Sequence, residues 1–172
     1  DDEIFARGER VATRLLLTGD VNLMNVFDPE EPFRKIVGEL HAADVVLRNM
    51  ECCLHLPANR HSHANEGFFA DPVVGGEALK FAGIHAVGIA NNVNYGAGNI
   101  AASIARLDEI GVLHTGAGSN LAAARAPAIV QRNGPRVGVR PRSSGHWPPD
   151  PAARAGAPGA AARRAPPAPP RP

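Results

Sequence analysis

Asp20, Glu51, Asn91 and Asn92 are oxygen-bearing side chains that each stand at or just past the end of an apolar, β-favouring run. A hard divalent cation takes oxygen or imidazole ligands gathered from several strand ends. Asp20, Glu51 and Asn92 supply two carboxylates and one amide oxygen. That donor set suits metal-assisted hydrolysis, in which a bound water attacks an ester. Gly19 is expected to let the backbone turn sharply so that Asp20 points into a cleft. Plainer readings compete at each position: Asp20 as a turn aspartate, Glu51 as an exposed strand-end acid, and the asparagines as loop residues closing a strand.

Positioning such residues requires strands alternating with helices, and the hydrophobic pattern has that order. Residues 11–18 (VATRLLLT) form an apolar run ending at Gly19-Asp20, and residues 32–41 place Phe33, Ile36, Val37 and Leu40 at helical spacing. A second strand is predicted over 44–49, a helix over 73–82 stopped by Gly83, and a third strand over 84–90 ending at Asn91-Asn92. A helix over 98–110 leads to a short strand over 111–115, then the Gly116-Ala117-Gly118 turn and a brief helix over 120–125. Residues 128–131 and 136–139 read as a hairpin around Asn133-Gly134. Alternation of this kind predicts an α/β fold with a mostly parallel sheet flanked by helices. Ligand groups in such sheets collect at the carboxyl ends of the strands, where Asp20, Asn49 with Glu51, Asn91-Asn92 and the glycine turn all fall.

Other residues invite chemistry less strongly. His61-Ser62-His63 sits in a polar stretch with no carboxylate at ligand spacing, so a solvated loop is expected there. His85 reads as a satisfied strand residue. His114, next to the glycine turn, is a candidate to face the cleft and bind substrate, as are Asn91 and Tyr95, the latter otherwise packing beneath its loop. Gly116-Ala117-Gly118-Ser119-Asn120 resembles a phosphate-cradling turn but lacks a dinucleotide fingerprint, which argues against NAD. Its plain role is a tight turn capped by Ser119 or Asn120. The cysteines, Cys52 and Cys53, are adjacent, a spacing that strains a disulfide, so neither a disulfide framework nor a zinc knuckle is expected.

Composition bounds the rest. The 172 residues carry 44% hydrophobic and 5% aromatic side chains, so the core rests on Val, Ile, Leu and Ala. The net charge of +1 hides an asymmetry: six of the 18 basic residues but one of the 17 acidic ones lie past Val139, leaving residues 1–138 at −4. No nucleic-acid partner is expected from the body. No apolar run reaches the roughly 18–20 residues of a bilayer span. The acidic start, Asp1-Asp2-Glu3, is unlike a signal peptide, and a cytoplasmic or envelope-associated location both fit. Residues 1–138 are read as one domain. Residues 139–172, rich in Pro, Arg and Ala, are expected to be a disordered tail.

The strings GDVNLM, ADVVLRNMECCL, LKFAGIHAVGIANNVNYG and LDEIGVLHTGAGSNLAAARAPAIV occur in the order and spacing of one family. Over residues 14–138 the chain resembles the CapA family of bacterial capsule and poly-γ-glutamate synthesis proteins. The resemblance implies part of a metallophosphoesterase-like (calcineurin-like) αββα fold, a hydrolase-type site for manganese or a similar divalent metal, and partners in the capsule or polyglutamate synthesis machinery. Asp20 matches the first metal-binding aspartate, Glu51 the acid of an Asn-Leu-Glu motif with Met50 for the leucine, and Asn92 the asparagine of Ala-Asn-Asn-His. Two departures follow. Val93 replaces that histidine and offers no proton or hydrogen bond. The Gly-His-x-His-like motif of the family's C-terminal half is not found in this sequence, so a two-metal site is expected to be incomplete. The tail composition is that of a GC-rich gene read out of frame, and the expectation is a truncated family member. The alternative is a non-catalytic binding or assembly subunit of the same fold.

Overall fold

The computed structural model describes residues 12–56, 68–91, 96–132, 136–143 and 152–162. In chain order the elements are β1 (Leu15–Val21), α1 (Val37–His41), β2 (Val45–Met50), β3 (Cys53–Leu54), β4 (Phe69–Ala70), α2 (Pro72–Phe81), β5 (Ala86–Gly88) and α3 (Gly96–Ile110). They continue with β6 (Leu113–Thr115), β7 (Ala117–Gly118), α4 (Leu121–Arg125), β8 (Ala128–Gln131), β9 (Arg136–Val139) and β10 (Gly159–Ala160). The central sheet has the order β1-β2-β5-β6, and every neighbouring pair is parallel. This is the α/β architecture that the alternating pattern predicts.

The central strands separate two apolar faces, and side-chain alternation assigns each residue to one of them. Val46, Met50 and Val87 pack with Leu40 of α1, Ala78 and Leu79 of α2, and Ile100 and Leu107 of α3. Val45, Leu47 and Ala86 face the other way, onto Ala128 and Val130 of the hairpin β8–β9. Burial on both faces explains the unbroken apolar run at Val45, Val46 and Leu47. Helices therefore cover one face and a β-hairpin the other. No helix among the described residues is long and apolar enough to cross a membrane.

Local chemistry sets the helix ends. Asp71 caps α2, its Oδ1 accepting from the amides of Val73 at 2.8 Å and Val74 at 3.0 Å, and Pro72 occupies the first turn, where no amide is required. Gly83, at φ +65°, ends that helix in the left-handed region. Asn120 caps α4 by accepting from Ala123 N at 2.9 Å. On α3 the buried face includes Ser103, whose Oγ accepts from Leu54 N at 3.0 Å. A polar residue among Ile100 and Leu107 is thus paired with the backbone of β3.

Three expectations are corrected. Residues 32–41 form a helix only over α1, and the preceding residues are turns. β1 runs through Gly19-Asp20 to Val21 and does not stop at Thr18. The parallel ladder with β2 carries it onward, with a shift of register between Leu17 and Asp20. The Pro/Arg/Ala-rich tail, expected to lack regular structure, pairs β10 antiparallel with β7, and Ala153 and Ala161 bury against Ala90 and Ala124. The predicted hairpin turn at Asn133-Gly134 lies outside the described residues.

His85 precedes β5, and its Nδ1 accepts from Val46 N at 3.1 Å, closing the start of the β2–β5 ladder. Burial, then the nearby Arg132 charge, lower the pKa of its imidazole. The unfolded chain therefore binds the proton first. Stability is full above the unfolded value of about 6.5 and is lost as pH falls below it. Asparagine at this position keeps an acceptor for Val46 N and cannot titrate. In thermal unfolding at stepped pH, His85→Asn is expected to show a flatter acid-side decline than the wild type; equal slopes would remove His85 as its cause.

Candidate functional site

The register of β1 against β2 sets Asp20 beside Asn49 and Val21 beside Met50. Asn49 Nδ2 donates to Asp20 Oδ1 at 2.7 Å. Immediately past β2, Glu51 N donates to Val21 O at 2.8 Å, which ties the Glu51 backbone to the end of β1. The two carboxyl groups lie close enough to act on each other's ionisation. Asp20 and Glu51, far apart in sequence, thus converge at the carboxyl edge of the parallel sheet. Gly19 has no left-handed φ, so the turn expected of it is not what aims Asp20. The register shift before Asp20 does so, placing it on the Asn49 face of the sheet.

The pair divides the labour of charge. Hydrogen bonds from Asn49 and then from Glu51 hold the Asp20 carboxyl below the ordinary aspartate range, against a smaller opposing effect of burial. The hydrogen bond to Asp20, then burial, then the Asp20 charge push the Glu51 carboxyl up. Two contacting carboxylates cannot both ionise cheaply unless a proton or a cation lies between them. Of the two, Glu51 is the carboxyl that its neighbour makes harder to ionise.

Asn91 is 6% exposed, and its Nδ2 donates to Met50 O at 2.6 Å. It fastens the segment after β5 to the end of β2, one residue from Glu51. Asn92 and Tyr95, and Val93 with them, lie outside the described residues, as do His61 and His63. His114 does not join the carboxylates. Its Nε2 lies 3.1 Å from Asp108 Oδ1 near the C-terminal end of α3, on the helix-covered side of β6. This corrects its placement in the cleft: strand parity turns the ring toward the helix, where an acid waits.

Asn49 is the site residue that sequence reasoning noted at a strand end without giving it a role. No parity count finds it: an unbroken ladder from Leu17 and Leu47 would set Asp20 beside Met50, and only the register shift brings it to Asn49. Cys52 and Cys53 are buried and not joined in a disulfide, as their adjacency predicts. Burial pushes the Cys52 thiol up to about 12, so it is no thiolate nucleophile.

The glycine turn has a packing role. At Gly116, with φ +105°, a Cβ would meet the Cβ of Ala90 at 2.7 Å and its backbone nitrogen at 2.8 Å. At Gly118 a Cβ would meet Ala123 Cβ and Ala124 N, each at 2.7 Å. The tail seals this corner, since Ala161 N donates to Gly116 O at 2.6 Å.

The donor chemistry fits a hard divalent cation. Two carboxylates in contact, with amide side chains beside them, are oxygen ligands whose mutual repulsion a cation relieves. Among the described residues no group of three His, Cys, Asp or Glu side chains gathers, so Asp20 and Glu51 are the charged donors available. A family model described as bacterial capsule synthesis protein PGA_cap matches residues 4–170 of the chain. No curated protein matches it.

Proposed function

Because this chain belongs to the bacterial capsule synthesis protein family PGA_cap, we propose that it acts in capsule or poly-γ-glutamate biosynthesis as a metal-dependent hydrolase or transferase of a phosphate or related ester. The observation that carries this reading is the contact between the Asp20 and Glu51 carboxyl groups at the ends of adjacent parallel strands. A metallophosphoesterase-like fold gathers oxygen ligands at that edge, and the partners expected are components of the capsule machinery.

Asp20 and Glu51 would hold the divalent metal, manganese or a similar ion, and Asn92 is the further ligand that the family resemblance assigns. A cation bound there would supply Lewis-acid polarisation and lower the pKa of a bound water. Asn49 Nδ2 fixes the Asp20 carboxylate in one orientation, because Oδ1 is already engaged. A cation there would relieve the repulsion that raises the Glu51 carboxyl, so binding would strengthen as pH rises through the acidic range in which carboxylates ionise. Asn91, pinned to Met50 O, is fixed one residue from Glu51.

A non-catalytic binding or assembly subunit is the second reading, favoured by Val93 where the family has a histidine. Calorimetric titration with manganese and a manganese-supplemented assay on a nitrophenyl phosphodiester separate the two. Saturable binding with turnover is expected. Binding without turnover supports the subunit reading, and no binding at all overturns the metal site.

A further inference from the structure

At the amino-terminal edge of the sheet, opposite the carboxylate pair, lies a cavity of about 520 Å³. It opens between the ends of α2 and α3 and the strand β8, and Lys80, His85, Leu113, Ile129, Gln131 and Arg132 are among the residues that line it. Among the described residues no acidic side chain lines it. Lys80 and Arg132 are exposed, and among the described residues neither enters an ion pair. Leu113 and Ile129 are each about two-fifths exposed and give the wall apolar surface.

His85 gives the cavity a directed donor. Its Nδ1 is occupied by the amide of Val46, so the neutral ring must carry its proton on Nε2. Burial and the Arg132 charge keep that ring neutral. The C-terminal ends of α2 and α3, the negative ends of their dipoles, also reach this edge, and four of their carbonyls are already engaged. Gly83 N donates to Lys80 O, Ile84 N to Leu79 O, Gly111 N to Asp108 O and Val112 N to Leu107 O. Against those negative helix ends stand the two cations, Lys80 and Arg132, and the imidazole N–H.

We propose that this cavity binds a small organic anion, a carboxylate or phosphate group on a short apolar body, at a site separate from Asp20 and Glu51. Lys80 and Arg132 take the charge, His85 Nε2 donates one hydrogen bond, and Leu113 and Ile129 receive the apolar part. Cavities with a few convergent polar groups on apolar walls are the usual form of small-molecule sites.

The test follows the His85 ring nitrogens by NMR in the full chain, titrated with isocaproate and, separately, with inorganic phosphate. A saturable shift at millimolar isocaproate is expected, with the same midpoint in Asp20→Ala. The double variant Lys80→Ala/Arg132→Ala, both exposed positions, is expected to weaken binding about tenfold or more, as loss of charge-assisted hydrogen bonds does. Leu113→Ser/Ile129→Ser is expected to weaken isocaproate while leaving phosphate unchanged. No saturable response to either anion overturns the proposal, and so does a response that Lys80→Ala/Arg132→Ala leaves intact. Retention of the response in Asp20→Ala separates this outcome from any failure of the metal site.

Discussion

Replacing Asp20 with alanine is expected to weaken manganese binding by about 10²-fold or more, because even outer-shell partners of a metal ligand are worth about 10–100-fold. Phosphodiester turnover should fall at least as far. Asp20→Asn keeps the shape of the side chain and removes its charge, and it should lose binding in the same way. Stability without metal behaves differently. Asp20 is exposed, and substitutions at such positions stay within about 0.5 kcal/mol. The pH linkages of the pair also oppose each other. The lowered Asp20 contributes stability above its unfolded value that is lost as pH falls through its folded value. The raised Glu51 costs stability as pH rises from its unfolded value through its folded one. The two windows are adjacent, that of Asp20 below its ordinary value and that of Glu51 above its own, with slopes of opposite sign. The discriminating measurement is the thermal midpoint with and without manganese. The wild type should rise with added metal by mass action, and Asp20→Asn should not move. An Asp20→Ala protein that binds manganese as tightly as the wild type would leave the carboxylate pair as a structural hydrogen bond only.

How much of this was legible in the sequence depended on whether the signal was local. The hairpin β8–β9 matched its predicted bounds because two short apolar runs on either side of an Asn-Gly pair are a local signal. The helix α2 was bounded by Pro72 and Gly83, residues whose conformational limits act within one turn. β1 was cut short because Gly19-Asp20 is a turn-forming pair in isolation, and only the ladder with β2 overrides that preference. β3 and β4, two residues each, have no period to read. The tail misled by composition. Alanine is too small to show a hydrophobic stripe, yet Ala153 and Ala161 fit the close contact with Ala90 and Ala124 for that same reason. At the site, the convergence of Asp20 and Glu51 followed from strand order, whereas the role of Asn49 needed the register and the orientation of His114 needed its partner on α3.

The largest effect on folding is expected at Gly116. Its φ of +105° lies where side chains other than glycine are strained, at about 1–3 kcal/mol. A methyl there would also stand 2.8 Å from the backbone nitrogen of Ala90, and backbone cannot swing aside as a long side chain would. Overpacking adds about 1–3 kcal/mol. Gly116→Ala should therefore cost about 3 kcal/mol or more and lower the melting temperature by about 6–12 °C for a chain of this size. Gly98→Ala is the control. Gly98 lies in α3 with nothing within 4 Å of an added methyl and no left-handed φ, so alanine should be neutral or stabilise by about 0.4–1 kcal/mol. The consequence of Gly116→Ala reaches the metal site by a short route. Ala90 is pushed, Asn91 follows it in the chain, and the bond from Asn91 to Met50 O lies one residue from Glu51. Manganese affinity should fall in Gly116→Ala while every ligand remains in place, and Gly98→Ala should bind as the wild type does. A Gly116→Ala protein that melts like the wild type would mean that the corner between β7, the tail and Ala90 opens freely, and the carboxyl edge would then lack the rigid support on which the convergence of Asp20 and Glu51 rests.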